Sequence, residues 1–117
     1  MALTFEQAAS VLTGLLTAGE LGRGVAYAGR TPIPAGTRLK FPGISIEAPS
    51  EAYVGFVDGE PTANWGHACR YILIRRDDGV ARSSGARFPP FAARGDLRWK
   101  VVYRAEGVPD AAIAVKE

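Results

Sequence analysis

The spacing of apolar and polar positions changes period several times along the chain. Over residues 4–18, Phe5, Ala8, Ala9, Leu12, Leu15 and Leu16 recur at helical spacing and form one apolar stripe. Thr4-Phe5-Glu6-Gln7 carries the capping-box pattern, and Leu3 stands where a hydrophobic staple begins. Gly19 predicts the C-terminal stop. From residue 25 onward the period is two. Residues 25–28 predict a short strand, and 29–36, with Pro32 and Pro34, a turn or an extended edge. Residues 37–41 alternate, with Leu39 and Phe41 opposite Arg38 and Lys40. Pro42-Gly43 breaks the alternation, and Ile44, Ile46 and Ala48 resume it. Residues 52–57 predict a further strand, in which Gly55 marks a bulge or the close approach of a neighbour.

The strongest apolar run is Tyr71-Ile72-Leu73-Ile74. It is short and rich in β-branched and aromatic side chains, so the stretch from His67 or Ala68 to Arg75 is expected to form the central strand of a sheet. Arg76-Asp77-Asp78-Gly79 reads as a hairpin turn, with 80–82 opening the return strand. Residues 83–96 show no period and hold Pro89-Pro90, which predicts a long connection. In 97–104, Leu97, Trp99, Val101 and Tyr103 are expected on one face, with Arg98, Lys100, Val102 and Arg104 on the other. The tail after Glu106 has room for a helical turn or short strand at 110–114. One helix and several short strands predict an α+β fold. In it an N-terminal helix packs on a mainly antiparallel sheet or a small sandwich. A chain of 117 residues is one domain.

Composition narrows the function classes. A single cysteine, Cys69, excludes an internal disulfide framework. The N-terminus lacks a basic n-region, and no stretch approaches the roughly 18 apolar residues of a membrane span. A soluble cytoplasmic protein is the expectation. Arginine outnumbers lysine eleven to three, which suggests a GC-rich bacterial genome. The net charge of +2 implies no anionic partner by itself, but its distribution is uneven. Residues 41–65 carry Glu47, Glu51, Asp58 and Glu60 without a basic residue, whereas 66–104 carry nine basic residues against three acidic ones. These regions are expected to pair within the domain, or to support self-association or an anionic ligand.

Candidate chemistry is sparse. His67 and Cys69 are two apart and share a strand face, and Asp58 could complete a cysteine-hydrolase set. Parallel side chains roughly 6.5 Å apart do not converge, however, and Cys69 lies on the apolar face of its strand. His67 and Cys69 with carboxylates alone fall short of the usual metal ligand set, so no metal and no cofactor are expected. Arg70, Arg98, Lys100 and Arg104 could form an anion site, although the alternation separates the cations from the rings that a nucleic-acid surface needs. Phe88-Pro89-Pro90-Phe91 holds two rings on a stiff segment, which caps the core or presents a docking knob. No complete catalytic set is present. The expectation is a non-enzymatic interaction or assembly module that contacts a protein partner or a second copy. Asn64, Trp65 and His67 in one loop and Phe88 and Phe91 in another are its expected contacts. The alternatives are a small cysteine-dependent enzyme on Asp58, His67 and Cys69, or an anion or nucleic-acid binder on the four cations.

Overall fold

Two capping boxes set the start of the chain. In the computed structural model, which describes residues 2–62, 68–90 and 97–115, Thr4 caps helix α1 (Phe5–Gly14). The Thr4 hydroxyl accepts from the Gln7 amide at 3.2 Å, and the Gln7 side chain accepts from the Thr4 amide at 2.8 Å. The helix is shorter than its apolar stripe predicts. Gly14 is its last residue, and Thr17 opens a second helix, α2 (Ala18–Arg23), through a second capping box with Glu20. Gly19 therefore lies inside a helix rather than ending one. The physical reason is local: Thr17 and Glu20 satisfy amides that a continuous helix would bond to its own carbonyls.

The chain then forms β1 (Val25–Gly29), β2 (Arg38–Phe41), β3 (Ile44–Glu47), β4 (Ala52–Asp58), β5 (Cys69–Arg75), β6 (Ala81–Ala86) and β7 (Trp99–Arg104). Five strands make an antiparallel sheet of order β6-β5-β4-β1-β7, and β2-β3 is a separate two-stranded ribbon. The expected α+β architecture is present. Its centre, however, is β4, buried along its whole length, with β5 one place nearer the edge. Asp78-Gly79 makes the β5–β6 turn, and Gly79 takes the positive φ of 76° that the turn requires.

The sheet is covered on both faces. On one, Ala8, Leu12 and Leu16 pack over Ala26, Ala28, Tyr53, Val57, Ile72 and Ile74. On the other, Leu39 and Phe41 of the ribbon and Val108 of the tail cover Val25, Tyr27, Val54, Phe56, Tyr71 and Leu73. The Phe41 and Tyr71 rings stack at 4.3 Å, and the Ala114 amide donates to the Tyr27 hydroxyl at 3.1 Å, pinning the tail. Tail residues Asp110–Ala112 form one turn of 3-10 helix. No helix among the described residues is long and apolar enough to cross a membrane.

Two strands depart from expectation. Residues 83–86 belong to β6, although Ser-Ser-Gly-Ala has little strand propensity; pairing with β5 imposes the extended form. In β7 the alternation fails at Val102. Ala26 pairs with Tyr103 and Tyr27 with Val101, so Val102 is an extra residue and Tyr103 turns to the helix face. There its hydroxyl donates to the Leu21 carbonyl.

Gly55 has no side chain because α1 sits on it. A β-carbon there would lie 3.0 and 3.2 Å from the two Leu12 methyls. We expect Leu12→Ala to lower the unfolding free energy in urea by about 2–5 kcal/mol. Gly55→Ala should lower it by about 1–3 kcal/mol through overpacking. The double variant should cost less than the sum, because truncating Leu12 opens the space that the new methyl needs. Strict additivity would contradict this contact.

Candidate functional site

Strand β6 ends the sheet, with no strand beyond it among the described residues. The Val80 carbonyl accepts from the Arg75 amide at 2.9 Å and so faces β5. The ladder shows no register shift across its six pairs. The two-residue alternation therefore turns the backbone polar groups of Arg82, Ser84 and Ala86 toward β5, and those of Ala81, Ser83 and Gly85 outward. Arg82, Ser84 and Ala86 pair with Leu73, Tyr71 and Cys69 and share their face of the sheet. Ala81, Ser83 and Gly85 lie on the helix face.

The usual protections of an edge are weak here. The strand has no proline, no lysine and no bulge, and its one charge is Arg82. The opposite end of the sheet differs: β7 is bulged and carries Lys100 and Arg104. Exposed large apolar residues bracket β6, with Val80 at 59% before it and Phe88 at 45% after it. The Tyr71 hydroxyl donates to the Phe88 carbonyl at 2.7 Å, which anchors the backbone while the ring stays half exposed near Gly43. Beside Val80 lies a hollow of about 210 Å³, lined among others by Pro49, Ala52, Leu73 and Arg82. Neither strand and turn propensities nor any apolar period over residues 83–88 flags this edge.

The helix face of β5 and β6 is fastened by Arg70. Its guanidinium donates to both Glu20 oxygens, at 2.9 and 2.8 Å, to the Leu15 carbonyl at 2.9 Å and to the Ser83 hydroxyl at 3.3 Å. One arginine thus ties α1, α2, β5 and β6 together. Burial alone would raise the Glu20 carboxyl, but the Arg70 guanidinium and the Thr17 amide outweigh it and hold the group below its ordinary value.

The four proposed anion-binding cations do not converge. Arg70 is committed to Glu20, and β4 and β1 separate its strand from β7. Lys100 pairs with Ala28 on the helix face, whereas Arg104 pairs with Val25 on the opposite face. Arg104 donates to the Val108 carbonyl and is 2.7 Å from Asp110. Arg98 precedes β7 at a φ of 57°. The expected common face of Arg98, Lys100 and Arg104 is lost to the bulge at Val102.

Asp58 and Cys69 are brought together as cross-strand neighbours on β4 and β5, and both are buried. Burial first, and the Asp58 charge second, push the Cys69 thiol up to about 11. A thiol held protonated at neutral pH is the reverse of an activated nucleophile. The Asp58 carboxylate accepts from the Glu60 amide at 2.9 Å. His67, Asn64, Trp65 and Phe91 lie outside the described residues, so of the expected contact set the structure places Phe88 alone.

No family model matches this chain, and neither a curated protein nor a solved structure shows significant similarity to it. The reading of function therefore rests on this geometry. Two measurements check its parts. Iodoacetamide should label native Cys69 slowly near neutrality, with a rate that climbs toward a midpoint near 11. A fast, pH-independent rate at neutral pH would restore a reactive thiol. Because the folded Glu20 carboxyl is held below its unfolded value, the stability it supplies is complete above the ordinary carboxylate range. That stability is lost as pH falls through the lowered folded value. Glu20→Gln should therefore lower stability at neutral pH and flatten the acid limb of the stability curve.

Proposed function

We propose that this protein is a non-enzymatic interaction or assembly module that takes up an extended segment at the β6 edge. The observation that carries this reading is the combination of outward amides and carbonyls on Ala81, Ser83 and Gly85 with exposed Val80 and Phe88 at the two ends of the strand. An added strand gains backbone hydrogen bonds worth about 0.5–1.5 kcal/mol each, and the flanking apolar residues supply anchors. The raised Cys69 thiol and the separated cations weaken the enzymatic and anion-binding alternatives. A cytoplasmic setting suits the reading, since Cys69 is an unpaired, buried thiol.

Proline at position 83 removes an outward donor together with the Ser83 hydroxyl that Arg70 contacts, but leaves the β5–β6 backbone ladder in place, because edge strands accept proline where the amide faces solvent. Affinity capture from the source organism with wild-type protein and Ser83→Pro tests the reading. We expect wild type to retain a protein partner or further copies of itself, and Ser83→Pro to lose them while its circular dichroism spectrum is unchanged. Phe88→Ala should weaken the same association by about 1–2 kcal/mol. Equal capture by wild type and both variants would refute docking at this edge.

A further inference from the structure

We infer that the segment accepted at β6 belongs to another protein and carries a bulky side chain and, three residues after it, an acidic one. This rests on the edge-docking reading above and adds the chemistry of the partner. Gly85 points to the bulky residue. The other glycines within strands are explained by their own chain: a β-carbon at Gly29 would press on Leu97, and one at Gly55 on Leu12. Gly85 has no such reason. It pairs with Arg70 in unbroken register, its φ is not positive, and a β-carbon there would meet nothing within 4 Å. Glycine weakens a strand, and inside one it marks the close approach of something else. Over the helix face of Ser83 and Gly85 lies a groove of about 340 Å³, bounded across from them by Thr17, Gly19 and Arg23. It has room for an aromatic ring, and a ring laid across an edge glycine covers the backbone that the missing side chain leaves bare.

The charges point to the acidic residue. Asp77 and Asp78 hold Arg75, and Glu20 holds Arg70. Arg82, exposed on the ribbon face, has no ion pair among the described residues, and neither has Arg87 just beyond the strand. Residues 80–90 contain no carboxylate, so the unbalanced charge of this edge strand is positive and β6 of a second copy has nothing to neutralise it. Antiparallel pairing sets the spacing. Ser83 and Gly85 turn their backbone groups outward, so a partner residue opposite Arg82 sits in a non-hydrogen-bonded pair, where side chains are closest. A strand running antiparallel to β6 passes Gly85 first and Arg82 three residues later. Residues three apart on a strand point to opposite faces, which sends the bulky side chain to the groove and the carboxylate to Arg82.

Fluorescence anisotropy on the full chain tests this with a labelled, amidated octapeptide of threonine that carries tryptophan at its third position and glutamate at its sixth. We expect saturable binding by wild type. Lysine in place of the glutamate should weaken it about fivefold, and Arg82→Glu should reverse that preference. Gly85→Val fills the groove with a residue that strands favour. It should keep or raise the urea midpoint, yet bind the tryptophan peptide no better than a peptide with alanine in that place. Binding that ignores both side chains, or that Gly85→Val leaves unchanged, would overturn the inference. If such indifferent binding is nevertheless lost in Ser83→Pro, edge docking stands and the stated partner chemistry falls. Self-association lost in Ser83→Pro, with no peptide bound, would give the edge to a second copy instead. If Ser83→Pro alters neither peptide binding nor capture, both readings fall.

Discussion

A β-strand in a sheet has backbone donors and acceptors on two sides, and both must be satisfied wherever water is excluded. That requirement organises this molecule. Strand β4 meets it fully: β1 and β5 take its backbone groups, and side chains on both faces of the sheet bury it along its length. Strands β1 and β5 are likewise paired on both sides, and only the outermost strands meet it incompletely within the sheet. At β6 the series ends with a strand of small polar residues whose outer groups face away from the sheet. The proposed function follows from this incompleteness rather than from any reactive group.

The two faces are built differently. The helix side is thin. Gly55, Ala26 and Ala28 let α1 approach closely, and the Arg70–Glu20 pair fixes where α2 sits. This pair, mostly buried and doubly hydrogen-bonded, positions four elements at once; its value lies in geometry more than in net Coulomb energy. The ribbon side is thick and aromatic, with Phe41, Tyr71, Phe56 and Tyr27 in contact one after another. The Tyr71 hydroxyl reaches from this cluster to the Phe88 carbonyl, so the aromatic core itself holds the segment that follows β6.

The groups that looked chemical in isolation have structural work. Cys69 closes the end of the ribbon-side core against Asp58, and the low polarity of that site keeps its thiol protonated. Arg70 and Arg104 are bound to carboxylates and carbonyls of their own chain. The acidic middle and basic last third meet at Arg76 and Glu51, whereas Glu47 takes Arg38 from its own ribbon. Local partners thus absorb much of the charge asymmetry seen along the chain.

What the amino-acid order determined by itself was whatever depends on neighbours in sequence. The Thr4 capping box, the Asp78-Gly79 turn and the alternation of the Leu39–Phe41 strand were all legible, because each is set within a few residues; Gly55 signalled a bulge or a close neighbour, but only the fold showed that the neighbour is Leu12. The Thr17-Glu20 box was equally local and was hidden only by an apolar stripe that runs on past it to Leu16. The tertiary structure decided the rest. Ser83 to Ala86 became a strand because β5 offered it a ladder, against its own propensities. Val102 became a bulge because two elements had to be met at once, β1 along the sheet and Leu21 above it. Cys69 and Asp58, eleven positions apart, became neighbours because antiparallel pairing reverses the chain. The edge that carries the proposed function is of the same kind: a strand is an edge only relative to a strand order, and strand order arises from long-range pairing that no window of sequence contains.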